Sequence, residues 1–141
     1  MIRAVLEPQT AEISPRTPEY SHMAAVLIVD DETLIRWSVA ESLEAAGFQV
    51  AEAGTARDAL QYFAQAPDEV CVVVLDLKLP DSSDLGLLRR IREIAPSCRI
   101  ILMTAHGTPE VLDEALRAGA FRVLSKPFDM NRIVGLVREA I

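Results

Sequence analysis

The chain has 141 residues, half of them hydrophobic and a quarter charged, which fits one compact domain with a sizeable core and leaves no room for a second full one. A formal net charge of -7 and a pI near 4.8 exclude an autonomous nucleic-acid-binding module, which needs Lys and Arg to neutralise phosphates. No apolar stretch reaches the roughly 18 to 20 residues of a membrane span, and the N-terminus lacks the apolar block of a signal peptide, so a cytoplasmic protein without direct nucleic-acid or membrane partners is expected.

Residues 1–23 carry Pro8, Pro15 and Pro18 among scattered polar residues with no clear period, which predicts a disordered leader or tag remnant outside the fold. The Ser21-His22-Met23 run fits either a cloning scar or a natural extension with Met23 as an alternative start. The domain proper is expected over 24–141. From Ala24 onward an apolar run followed by an amphipathic helical pattern recurs five times, the signature of a doubly wound α/β fold with a parallel sheet. The predicted strands are Ala25 to Val29, Gln49 to Glu52, Cys71 to Leu75, Arg99 to Met103 and Phe121 to Leu124. The first, third and fourth are near-continuous Val, Ile and Leu, as suits strands covered on both faces.

Ile35, Val39, Leu43 and Ala46 give the first helix its apolar face, and Gly47 stops it. Trp37 falls off that face and is expected to be partly exposed. Thr55, Asp84 and Thr108 are candidate N-caps, with Pro109 at a first helical position. After Asp129, the residues Met130, Ile133, Val134, Val137, Ala140 and Ile141 form the core-facing stripe of the last helix. Cys71 and Cys98 lie in or beside apolar runs without metal-ligand spacing, so both are expected to be buried reduced thiols.

Ligands of open parallel α/β sheets bind outside the carboxyl ends of the strands. The residues just past the strands are Asp30, Asp31 and Glu32 after the first, Asp76 after the third, Thr104 after the fourth and Ser125, Lys126 and Pro127 after the fifth. Clustered Asp30, Asp31 and Asp76 would repel one another and call for a divalent cation. Oxygen ligands without His or Cys favour Mg²⁺, which makes phosphoryl transfer to a carboxylate feasible by screening charge. Asp76, held rigidly at the end of the most apolar strand, is the candidate nucleophile. Lys126 would pair with phosphoryl oxygens and the Thr104 hydroxyl would donate to them. The Lys126–Pro127 bond is a candidate for the cis form.

At these residues the chain resembles the response-regulator receiver family of two-component systems across Ala24 to Ile141. The resemblance rests on Val26-Leu27-Ile28-Val29-Asp30-Asp31-Glu32, Val74-Leu75-Asp76-Leu77-Lys78-Leu79-Pro80, Met103-Thr104-Ala105 and Ser125-Lys126-Pro127-Phe128. It implies a (βα)5 flavodoxin-like fold with a five-stranded sheet in the order 2-1-3-4-5. It also implies Mg²⁺ held by Asp30, Asp31, Asp76 and the backbone carbonyl of Lys78, phosphate accepted on Asp76, and Thr104 and Lys126 contacting the phosphoryl group. The implied donor is a sensor histidine kinase. The domain would be a signalling switch that catalyses only its own phosphorylation and dephosphorylation. Leu34-Ile35-Arg36-Trp37-Ser38 and Thr104-Ala105-His106-Gly107-Thr108-Pro109-Glu110 look most like the nitrogen-regulatory, sigma-54-dependent type. There an ATPase domain and a DNA-binding domain follow the receiver, so an excised N-terminal domain and a stand-alone receiver are both open. A phosphorylation-dependent homodimer would use the helix from Thr108 to Ala118 and the last helix.

Two positions depart from the family pattern. Val123 stands where an aromatic switch residue is frequent, and Pro80-Asp81-Ser82-Ser83-Asp84-Leu85-Gly86 replaces a shorter acidic-Gly turn. Two other functions compete. A phosphatase with an aspartate nucleophile, like the haloacid-dehalogenase-like enzymes, needs a general acid two residues on, where this chain has Lys78. An interaction module that has lost phosphorylation is opposed by the intact set of acids, hydroxyl and lysine.

Overall fold

The structure, a computed structural model, describes residues 4–5, 25–66 and 68–141. Strands are β1 (Ala4–Val5), β2 (Ala25–Val29), β3 (Gln49–Ala53), β4 (Val70–Asp76), β5 (Arg99–Thr104) and β6 (Arg122–Ser125). Helices are α1 (Thr33–Ala45), α2 (Ala56–Gln65), α3 (Gly86–Ile94), α4 (Pro109–Arg117) and α5 (Met130–Ala140). All strand pairs are parallel, in the order β1-β3-β2-β4-β5-β6. Parallel neighbours cannot be joined by a hairpin, so a helix crosses over between each successive pair from β2 onward. Counted from Ala25, the five strands run 2-1-3-4-5, as expected.

The leader departs from its expectation at one point. Ala4–Val5 pairs in parallel with Ala51 and Glu52 of β3 and adds a sixth, two-residue strand to the sheet edge, because β3 otherwise presents unpaired N–H and C=O groups there. The remainder of the predicted leader, including the Ser21-His22-Met23 run, lies outside the described residues.

Side chains alternate across the sheet with period two. Leu27, Val29, Val73, Leu75, Ile100 and Leu102 pack with Phe63 of α2, Leu88 and Ile91 of α3 and Ala115 of α4 on one face. Val26, Ile28, Val72, Val74, Ile101 and Met103 pack with Val39 and Leu43 of α1 and with Ile133, Leu136 and Val137 of α5 on the other. Thr55, Thr108 and Asp129 cap α2, α4 and α5 through their side chains. Asp84 accepts the N–H of Gly86 at 2.8 Å, one residue ahead of the Leu85 cap position. Gly47, with φ +99°, ends α1 in a conformation that side chains disfavour. Trp37 is half exposed, as its place on α1 predicts.

Two core expectations change. Ile141 is exposed and Leu136 takes its place in the buried stripe of α5. Cys71 is exposed while Cys98 is buried. Ala25 pairs with Val70 and Val26 with Val72, so Cys71 is left opposite no residue of β2. This irregularity removes Cys71 from the alternation that buries its neighbours.

Candidate functional site

The strand order reverses direction around β2, which lies between β3 and β4, and the crevice between the carboxyl ends of β2 and β4 is the switch point of the sheet. Asp30 follows β2 and Asp76 ends β4. Both are buried, Asp30 completely. Lys126, delivered from beyond β6, puts Nζ 3.1 Å from Asp30 Oδ2, 3.1 Å from Asp76 Oδ2 and 2.8 Å from Glu32 Oε1. The Lys126–Pro127 peptide is cis.

Backbone donors hold the carboxylates. The N–H of Glu32 donates to Asp30 Oδ1 at 2.9 Å and that of Lys78 to Asp76 Oδ1 at 3.3 Å. The Asp30 N–H donates to the Ala53 carbonyl at 3.1 Å, which ties the loop after β2 to the end of β3. Thr104 is buried, and its Oγ1 accepts the His106 N–H at 3.1 Å. Its carbonyl accepts the Lys126 N–H at 2.8 Å, so threonine and lysine are linked by their main chains.

One carboxylate oxygen each from Asp30, Glu32 and Asp76 lies within 4.8 Å of the others. Asp31, expected beside them, is exposed and stands outside that group. The physical reason is local. The chain bends at Asp31 before the extended backbone of Glu32, at φ -81° and ψ 99°, and this leaves Asp31 facing solvent while the side chains of Asp30 and Glu32 both meet Lys126. Arg36 was also missed: its Nη1 donates to the Asp30 carbonyl at 2.8 Å and its Nε to Glu52 Oε1 of β3 at 3.0 Å.

Electrostatics follow from this crowding. Burial first, and then the charge of Asp76, push the Asp30 carboxyl up to about 6 from 3.8, although the Glu32 N–H and Lys126 oppose the rise. Burial alone would lower Lys126, but hydrogen bonds to Glu32 and Asp76 and the charge of Asp30 outweigh it and hold the ammonium well above its ordinary value. The donor set is entirely oxygen, and a positive charge already sits among the three acids. Cis ligands of an octahedral Mg²⁺ lie roughly 3 Å apart, which three carboxylate oxygens at this spacing reach by small rotations. The cluster can therefore hold a hard divalent cation.

The response regulator receiver domain family model matches residues 26–138, nearly the whole span of the sheet and helices from β2 to α5. The chain belongs to the response regulator receiver domain family. Phosphorylation on an aspartate is the general mechanism of that family, and a receiver is a signalling switch of bacterial two-component systems. The receiver is 33% identical over 118 residues to the DNA-binding transcriptional regulator NtrC of Azospirillum brasilense, a match that spans 84% of this chain and 24% of that protein. This chain thus spans about a quarter of such relatives, and the likeness to the nitrogen-regulatory type is met by them. A receiver domain protein from Clostridium thermocellum superposes with a TM-score of 0.79 at 31% identity, covering 84% of this chain and 94% of that one. The receiver domain of NtrX from Brucella abortus gives 0.74 at 32% identity over 82% and 96%. No helix among the described residues is long and apolar enough to cross a membrane.

Proposed function

We propose that this receiver accepts a phosphoryl group on Asp76 in a Mg²⁺-dependent reaction. The observation that carries the reading is the convergence of Lys126 on Asp30, Glu32 and Asp76. Asp30, Glu32 and Asp76 would hold the metal, with the backbone carbonyl of Lys78 and water-mediated contact from Asp31 as further expected contributors. A bound Mg²⁺ supplies neutralisation of the carboxylates and screening of the incoming phosphoryl charge.

The rest is done by the chain. An Asp76 carboxylate oxygen forms the new O–P bond as the bond from phosphorus to the donor breaks, and the donor keeps that electron pair. Lys126 moves from Asp76 to the phosphoryl oxygens, its charge already maintained by its neighbours. Thr104 Oγ1 accepts from His106 and donates its own proton to a phosphoryl oxygen. The donor is a sensor histidine kinase, and loss of the group by hydrolysis resets the switch. The output is transcription through ATPase and DNA-binding domains of the kind carried by longer relatives, with homodimerisation through α4 and α5 as the transmitted change, in the cytoplasm. Val123 of β6 stands where the family often has an aromatic residue, so the signal runs through Thr104 and the α4 loop without a coupled aromatic rotamer.

The test is intact-mass measurement after incubation with acetyl phosphate, with and without Mg²⁺, beside Asp76→Asn. One phosphoryl group gained only with both Mg²⁺ and Asp76 is expected. No gain under any condition overturns the reading in favour of a phosphorylation-independent interaction module.

A further inference from the structure

Arg36 and Glu52 form an ion pair between α1 and β3, with Nε 3.0 Å from Oε1 and side chains 16% and 4% exposed. Burying both charges costs hydration, and an apolar pair of similar volume would stabilise the fold as well or better. The pair therefore calls for a reason other than packing. The second arm of the same guanidinium supplies one, because Nη1 donates to the Asp30 carbonyl at 2.8 Å.

Asp30 is thereby held through both ends of its own residue. Its N–H is bound by the Ala53 carbonyl and its C=O by Arg36. Glu32, the next acid of the cluster, is held by main-chain bonds and by Asp30 itself, since its carbonyl accepts the main-chain N–H of Arg36 at 2.9 Å and its N–H donates to Asp30 Oδ1. Gly54 leaves room for this arrangement. A Cβ there would lie 3.1 Å from Arg36 Nη1, closer than side chains ordinarily approach.

We propose that Arg36, anchored by Glu52, is a positioning residue that sets the backbone of Asp30 for divalent-cation binding. The inference rests on the receiver reading of the acidic cluster. Only a planar guanidinium offers two directed donors at once, one for a buried carboxylate and one for a carbonyl. A lysine can keep the charge opposite Glu52 but not the fork.

The test compares wild type, Arg36→Lys and the doubly neutral Arg36→Met/Glu52→Gln by Mg²⁺ titration and by hydrogen exchange of the Asp30 amide in metal-free protein. Arg36→Lys is expected to bind Mg²⁺ roughly tenfold more weakly and to exchange the Asp30 amide faster. The double variant removes both charges of the ion pair together and is expected to show the same loss, which keeps the test decisive should the single variant not fold. Wild-type Mg²⁺ affinity and wild-type exchange in a folded variant would overturn the proposal. A wild type that binds no Mg²⁺ would sink the receiver reading instead, and the exchange comparison would still decide whether Arg36 sets the Asp30 backbone.

Discussion

Lys126 Nζ lies 3.1 Å from Oδ2 of Asp76, across fifty positions of sequence, and the same ammonium is shared with Asp30 and Glu32. In the metal-free receiver the lysine thus does the neutralising that a divalent cation would otherwise do. Removing it leaves three carboxylates crowded without a counter-charge.

Lys126→Met is therefore expected to lower the melting temperature of the metal-free domain. It is also expected to widen the upward shift that Mg²⁺ produces, because metal and ammonium no longer compete for the same oxygens. Phosphoryl acceptance should fall at the same time, since the metal is left without an ammonium beside it to meet the transferred group. Thermal melts with and without Mg²⁺ check this. A smaller Mg²⁺ shift in the variant would show that lysine and metal occupy separate places.

Asp30 gives the pH dependence. Its folded value of about 6 lies above the ordinary 3.8, so the fold binds this proton more tightly than the unfolded chain does. Its contribution to stability is complete below 3.8 and is lost as the pH rises to about 6. Above that window the ionised carboxylate works against the metal-free fold, and Mg²⁺ binding relieves it. Asp30→Asn should stabilise the metal-free domain by about 1 to 2 kcal/mol at neutral pH, with the difference shrinking towards pH 4, and should weaken Mg²⁺ binding. Urea titrations across that range measure the first effect. A variant less stable than wild type at neutral pH would reverse the sign.

The strand and helix order was legible because a parallel sheet covered on both faces writes near-continuous apolar runs, such as Val72 to Leu75 and Ile100 to Met103. The placement of Asp30, Asp76, Thr104 and Lys126 at strand ends on one rim was legible because a strand end fixes where the next side chain emerges. Glu32 was placed at that rim but not among the candidate ligands, and Arg36 was not singled out, since their contacts depend on which way the backbone turns between β2 and α1 and on Glu52, a partner 16 residues from Arg36. The β1 strand was equally hidden. Two residues carry no period, and their pairing depends on an edge created by residues far along the chain.

The two thiols should differ in reactivity. Cys71 is exposed, while burial pushes Cys98 up to about 12, with a smaller contribution from Cys71, so its thiolate is scarce at neutral pH. Both border a cleft of about 400 Å³ at the opposite end of the sheet from Asp76. A disulfide-exchange thiol reagent is expected to titrate one cysteine rapidly in the native domain and both in denaturant, with Cys71→Ser abolishing the rapid phase. Two fast native thiols would mean that the N-terminal end of β5 opens readily.

Gly107 lies in the loop between Thr104 and α4, and a Cβ added there would collide with Ser125 Oγ and come within 3.7 Å of Thr104 Cγ2. The loop carrying the His106 N–H to Thr104 is thus packed against the end of β6 one residue before Lys126. Because the atom struck first is the terminal hydroxyl of the exposed Ser125, which can rotate away, Gly107→Ala should cost at most about 1 kcal/mol. Most of that loss should return in Gly107→Ala/Ser125→Ala, where the Cβ of residue 125, at 3.5 Å, leaves an ordinary contact. Urea unfolding of the two variants and of Ser125→Ala supplies the coupling energy. Strictly additive losses would place the strain of the alanine somewhere other than at Ser125.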